Sequence, residues 1–288
     1  TMKKLKDNDT LGAVLAVIGM IAGILTLYLL ADTYNTVIST HFNAGEWEES
    51  NTVRIVYAVL GWFGIAAGAL SASVLYGFLT KRPWAWFWGT VAATVLLLAG
   101  FFPMIPAGDS GLPVPTVIVF GLGAVMWFGM LFIGGVENKL IALTFVAGLA
   151  YVLTFIDGVA PISKFQTTFQ EPGNIISSTD AFWNGVYVMS QQVNWWGAAA
   201  WAGFIFAAIL RKPWAVALGV FAASMSIIGG YPMGIYNVTQ VGRFSMFLPA
   251  PIISTILLIV ILLPGTQRLI VGEQETSSST KLSLEVGD

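Results

Sequence analysis

The chain has 288 residues, 56% of them apolar, with 13 basic and 15 acidic residues and a formal net charge of −2. Charged residues make up 10%, against roughly 25% in an ordinary soluble domain, which leaves too little polar surface to coat a water-soluble fold of this size. With no cysteine there is no disulfide framework, no Cys-bound zinc or iron–sulfur cluster and no thiol nucleophile.

The single histidine, His41, cannot furnish a haem or copper ligand set or a Ser–His–Asp triad within the membrane, so no cofactor is expected. Beyond the opening Lys3-Lys4-Leu5-Lys6 there is no basic run, and nucleic acid is not an expected partner. The apolar residues fall in blocks of about twenty, the length that crosses a hydrocarbon core of roughly 30 Å. The expected fold is an all-α integral membrane protein with the lipid bilayer as its surroundings. Its eight transmembrane helices lie near 11–31, 53–79, 84–105, 114–135, 139–159, 186–210, 214–235 and 248–264.

After a short N-terminal segment (1–10), the first span has an apolar stretch of about 20 residues, longer than the roughly 7–15 of a signal peptide, and reads as an uncleaved anchor. Gly19 and Gly23 on it, and Gly64 and Gly68 on the second span, form small-xxx-small steps suited to close helix packing. Between these spans lies a polar connection of about 20 residues holding Tyr34, His41 and the cluster Glu46-Trp47-Glu48-Glu49. It lacks the spaced Asp/Asn-Gly pattern of a calcium loop and is expected to be a solvated acidic loop, part of an aromatic cap over the outer face.

The second span ends at Lys81-Arg82-Pro83-Trp84-Ala85. Proline presets a first helical turn, tryptophan prefers the headgroup level, and the basic pair faces lipid phosphates. Lys81, Arg82 and Trp84 therefore read as membrane anchors, as do Arg211, Lys212 and Trp214 later in the chain. Prolines at 103, 113 and 115 mark a rigid outer corner before the fourth span. The fifth span ends near Asp157, and a connection of about 26 residues carrying Phe165, Phe169, Phe182 and Trp183 leads to the sixth. That helix opens with Tyr187, Ser190, Gln191, Gln192 and Asn194 ahead of Trp195-Trp196. Amides among aromatics suit a sugar, quinone or lipid headgroup, and equally suit helix-to-helix contacts. Asn237-Val238-Thr239 matches a glycosylation acceptor, and the tail from 265 to 288 is expected to be disordered.

The halves echo one another. Lys81-Arg82-Pro83-Trp84-Ala85 with Gly89 recurs as Arg211-Lys212-Pro213-Trp214-Ala215 with Gly219 at an offset of 130; Ala22-Gly23 and Asp32 recur as Ala147-Gly148 and Asp157 at an offset of 125. Phe101-Phe102-Pro103-Met104 and Gly230-Tyr231-Pro232-Met233, and Pro113-Val114-Pro115 and Pro249-Ala250-Pro251, follow in the same order. Two tandem four-helix repeats (11–135 and 139–264) are expected, parallel because four is even, with a pseudo-two-fold seam between them.

Ten basic residues (Lys3, Lys4, Lys6, Lys81, Arg82, Lys139, Arg211, Lys212, Arg268 and Lys281) fall on one side of such a topology. Three (Arg54, Lys164 and Arg243) fall on the other. Retention of positive charge in the cytoplasm places both termini inside, in a cell membrane.

The spans hold almost no charge, which removes a retinal-type Schiff base, a chain of acids for proton relay and an arginine ladder. Asp32 and Asp157 come nearest, either as helix-end residues in water or as a pair holding a hard cation or an amine. The ligand-binding candidates are therefore Asp32, Asp157, Tyr187, Gln191, Gln192 and Asn194. No nucleophile and base can be named for an enzyme. The expected function is that of a non-enzymatic accessory subunit or outward-facing binding module, with a membrane-protein partner or a second copy of the chain. The alternative is a transporter or channel for a small apolar or weakly polar solute at the seam, where the sparse polar lining argues against ions as cargo.

Overall fold

The computed structural model describes residues 6–165, 181–241 and 244–272, and every regular element among them is helical. The helices are α1 (Asp9–Asn43), α2 (Trp47–Leu79), α3 (Ala85–Phe101), α4 (Met104–Asp109), α5 (Val117–Ile133), α6 (Asn138–Val159), α7 (Ala181–Ile209), α8 (Ala215–Val241), α9 (Pro249–Leu262) and α10 (Pro264–Val271); a 3₁₀ segment, Ala160–Phe165, follows α6. The eight apolar segments read from the sequence are helical over most of their length, with 84–105 running from α3 into α4 and 248–264 from α9 into α10. Among the described residues, five helical stretches are long and apolar enough to cross a membrane: Asp9–Asn43, Glu49–Leu79, Ala85–Asp109, Asn138–Ile162 and Ala215–Thr239. The α9–α10 pair, bent by 85°, makes a sixth if it counts as one span, and α5 is a shorter apolar helix. The protein is a multi-pass membrane protein.

The chain divides into two compact units, Thr1–Val136 and Glu137–Asp288. In the first, α1 lies against α2, α2 against α3, α3 against α5, and α5 returns to α1. In the second, α6 lies against α7, α7 against α8, α8 against α9, and α9 returns to α6. Each unit thus closes four long helices into a ring.

Local chemistry accounts for the ends of the helices. Asn8 caps α1 by accepting the Leu11 amide at 3.0 Å, and Asp9 places negative charge in the first turn. The α1, α2, α5 and α7 helices all end in the same two-bond reversal with a left-handed residue: Gly45 (φ 80°), Lys81 (φ 54°), Gly135 (φ 67°) and Arg211 (φ 54°). Inside the first unit the glycine step read from the sequence is a packing surface. A Cβ on Gly23 would lie 2.6 Å from the Gly64 carbonyl oxygen and 2.6 Å from the Gly68 Cα, so the two backbones meet with nothing between them.

One expectation fails. The polar stretch between the first two spans is not a loop: α1 continues to Asn43 and α2 begins at Trp47, leaving a three-residue reversal over 44–46. Between Asp32 and Thr52 the only glycine is Gly45, there is no proline, and nothing there forces the helix to stop. The acidic run Glu46-Trp47-Glu48-Glu49 instead begins α2, where carboxylates complement the helix dipole. At 35 residues α1 is about 52 Å long at 1.5 Å per residue, well beyond a hydrocarbon core of roughly 30 Å. The second cap connection, 166–180, lies outside the described residues, as do the tail from 273 onward and Arg243.

Candidate functional site

The sequence candidates on α6 and α7 belong to the second unit, where Asp157, Tyr187 and Asn194 are buried and Gln192 is exposed. Asp157, in the last turn of α6, is 2% exposed, and its Oδ2 has no hydrogen-bond partner among the described residues. Asn194 on α7 is 1% exposed, with neither Oδ1 nor Nδ2 bonded. Along α7, Tyr187, Ser190, Asn194 and Trp201 are buried while Gln192 is exposed, so the helix turns one polar stripe inward at heptad-like spacing. The Gln191 side chain lies outside the described residues. Tyr187 is packed with Met233 and sits edge-on to Phe247 at 5.9 Å; its carbonyl accepts the Ser190 hydroxyl at 2.6 Å.

Two residues that the sequence did not single out complete this region. Thr154, one turn before Asp157 on α6, shares a buried hydrogen bond of 2.9 Å with Ser226 of α8. Glycines permit the close approach. A Cβ on Gly158 would overlap Trp195, one on Gly197 would lie 3.1 Å from Thr154 Cγ2, and one on Gly229 would overlap the Asn194 carboxamide. Thr154, Gly197 and Ser226 thus form one layer where α6, α7 and α8 meet, and Asn194 packs on Gly229 one turn beyond it along α7 and α8. The signal available in sequence was the spacing: Thr154 and Asp157 at i and i+3, Ser226 and Gly229 likewise.

Asp32 has a different environment. It is exposed on α1, in the first unit, whereas its sequence counterpart Asp157 is buried in the second.

The tip of the first unit is organised by the lone histidine. His41 is 1% exposed; its Nδ1 lies 2.6 Å from Glu46 Oε2, and its Nε2 lies 3.1 Å from the Pro106 carbonyl and 2.9 Å from the Ser110 hydroxyl. The His41 carbonyl also accepts the Glu46 amide at 2.9 Å. The Ser50 hydroxyl donates to the Ile38 carbonyl at 3.2 Å, and the Tyr57 hydroxyl to the Pro103 carbonyl at 3.1 Å. The α1–α2 hairpin is thereby tied to the α4 corner by side chains from both. On its outside Phe42 and Trp47 stack at 6.0 Å and are 54% and 43% exposed. Lower on these helices is an apolar hollow of about 340 Å³, lined by Leu27, Leu30, Tyr34, Tyr57 and Trp62 among others. Its two phenol hydroxyls already donate to the Arg54 and Pro103 carbonyls.

The turns at Lys81 and Arg211, expected from the sequence to be membrane anchors, follow the C-terminal ends of α2 and α7. Lys81, Arg82, Trp84, Lys212 and Trp214 are exposed and Arg211 is half-buried. Arg211 pairs with Glu137 at 3.2 Å, an exposed contact worth little in stability. Comparison with family models, curated proteins and solved structures finds no match.

Proposed function

We propose that the chain crosses the membrane eight times as two parallel four-helix repeats, with both termini and the basic Pro-Trp turns in the cytoplasm. It acts outside the membrane as a non-enzymatic accessory subunit or binding module. What carries this reading is the α1–α2 tip. Two helices longer than the bilayer is thick end in a reversal braced by His41, and that brace presents an exposed Phe42–Trp47 stack among carboxylates. An aromatic pair on a rigid, otherwise polar projection suits burial against a partner protein. The asymmetry of the 13 basic residues and the matching turns at Lys81 and Arg211 support the topology. His41 is engaged on both ring nitrogens, so the only imidazole serves the architecture of the tip.

Purification of the full chain in mild detergent tests the reading. The expected result is a stoichiometric membrane-protein partner, or a second copy, that is lost from Trp47→Glu while the variant stays folded. A chain that elutes alone, with and without Trp47, contradicts it.

A further inference from the structure

Beside the Lys81 turn of the first unit, the surface where α2 and α3 meet carries a hollow. It measures about 410 Å³ and is lined by Leu70 and Ser73 of α2, Trp88 of α3 and Trp84 at the α3 N-cap, a size within the roughly 300–1,000 Å³ of small-molecule sites. Ser73, Trp84 and Trp88 are exposed, so the hollow opens outward. Its Ser73 hydroxyl points back to the Ala69 carbonyl at 3.5 Å, and the walls are otherwise largely apolar.

A basic pair adjoins it. The Arg82 amide donates to the Gly77 carbonyl at 2.8 Å, and Gly77 is where the Trp84 ring lies, since a Cβ there would meet Trp84 Cη2 at 2.8 Å. Ser73 stands one turn before Gly77 and eight residues before Lys81, about 12 Å along a helix. Lys81 and Arg82 are both exposed, and neither has an ion pair among the described residues.

The second turn repeats the backbone and not the hollow. At the offset of 130, Ser73 and Trp88 correspond to Gly203 and Leu218, and a Cβ on Gly203 would lie 3.0 Å from Leu218 Cδ2. The leucine therefore reaches onto the facing helix at the level where Ser73 and Trp88 leave a gap. Arg211, at the position of Lys81, is already paired with Glu137 at 3.2 Å.

The two features of the first turn call for one kind of molecule. A soluble anion would use the cations and leave the hollow empty; an uncharged apolar solute would do the reverse. A phospholipid of net negative charge uses both, because basic residues at the end of a membrane helix attract acidic headgroups and tryptophan packs at the boundary between headgroup and chain. We propose that Lys81 and Arg82 hold the phosphate of one anionic glycerophospholipid while an acyl chain lies in the hollow between Leu70, Ser73, Trp84 and Trp88. This site is independent of the tip and of the partner proposed for it.

The test titrates the full chain, in a non-ionic detergent, with phosphatidylglycerol or with phosphatidylcholine of the same acyl chains, and counts bound lipids by native mass spectrometry. The wild type is expected to bind a first phosphatidylglycerol at least fivefold more tightly than phosphatidylcholine, which carries the phosphate without the net charge. Lys81→Gln and Arg82→Gln are each expected to weaken that first binding by roughly fivefold, the worth of one basic residue near anionic lipid, and Arg211→Gln to leave it as in the wild type. Ser73→Leu, which fills the hollow from an exposed position, is expected to abolish it, and Trp88→Ala, which removes a wall, to weaken it. Equal affinity for the two lipids overturns the proposal, as does equal weakening by Lys81→Gln and Arg211→Gln, or a first lipid unchanged in both Ser73→Leu and Trp88→Ala. A dimer that Ser73→Leu disrupts gives the hollow to a second copy of the chain and overturns it as well.

Discussion

Lys81 and Arg211, 130 residues apart in sequence, hold the same left-handed backbone conformation, each at φ 54°. Around both the hydrogen bonds are equivalent. The Lys81 and Arg82 amides donate to the Phe78 and Gly77 carbonyls at 3.1 and 2.8 Å; the Arg211 and Lys212 amides donate to Ala208 and Ala207 at 3.0 and 2.9 Å. Each turn is followed by a proline, an exposed tryptophan and a fully buried alanine, Ala85 or Ala215. Glycine is the usual residue at such a position, and an L side chain there costs about 1–2 kcal/mol. A basic residue in its place gives up some stability, and under the proposed topology it gains charge at the lipid headgroups.

That trade can be measured. Lys81→Gly and Arg211→Gly are each expected to stabilise the protein slightly, by a few tenths to about 1 kcal/mol after the entropy glycine adds to the unfolded chain. Lys81→Val and Arg211→Val are expected to destabilise by at least about 1 kcal/mol, because a β-branched residue tolerates positive φ poorly. Thermal midpoints in detergent should rank glycine, wild type and valine in that order at both positions. A different order at the two turns would mean that they are not equivalent.

The histidine brace makes a second prediction. Removing its ring in His41→Ala leaves the Pro106 carbonyl and the Ser110 hydroxyl without their buried partner and releases the Glu46 carboxylate, while the backbone bond from the Glu46 amide remains. The expected loss is about 1–3 kcal/mol, together with faster proteolysis between residues 43 and 46 as the reversal opens. An unchanged cleavage rate would show that the backbone bonds at Gly45 hold the tip unaided.

Close approach of α1 and α2 makes a third. Gly23→Ala places a methyl group against the backbone at Gly64 and Gly68, and neither can retreat like a flexible side chain. Destabilisation of about 1–3 kcal/mol is expected. Gly121→Ala, where a Cβ meets nothing within 4 Å, is expected to be neutral or mildly stabilising. Parallel midpoint measurements distinguish the two.

Much of this architecture was legible in the chain because apolar block length and Pro-Trp helix starts depend on local residues alone. Leu11 to Ala31 and Trp84 to Gly100 read as helices from composition, and the structure has helices there. The extension of α1 through Thr33, Asn35, Thr36, Ser39 and Asn43 was not legible. These residues are weak helix formers, and what keeps them helical is Ser50 bonding to the Ile38 carbonyl and His41 bonding across to the α4 corner. Such contacts exist only after the chain has turned back on itself. The same limit applies to the two aspartates. Asp32 and Asp157 sit at corresponding sequence positions, but burial of Asp157 is set by the neighbours of its own helix, beginning with Trp195 beside Gly158, and no local pattern encodes that.

The topology is open to a direct measurement because the natural chain has no cysteine, so each introduced thiol is unique. In the proposed topology Ala44→Cys and Thr239→Cys lie on the outer side and Thr80→Cys and Leu210→Cys on the cytoplasmic side; all four positions are exposed. In intact cells a membrane-impermeant maleimide is expected to label the first pair, and to reach the second pair only after the membrane is opened. Labelling of Thr80→Cys alongside Ala44→Cys in intact cells would contradict the account, because the tip and the basic turns would then share one side of the membrane.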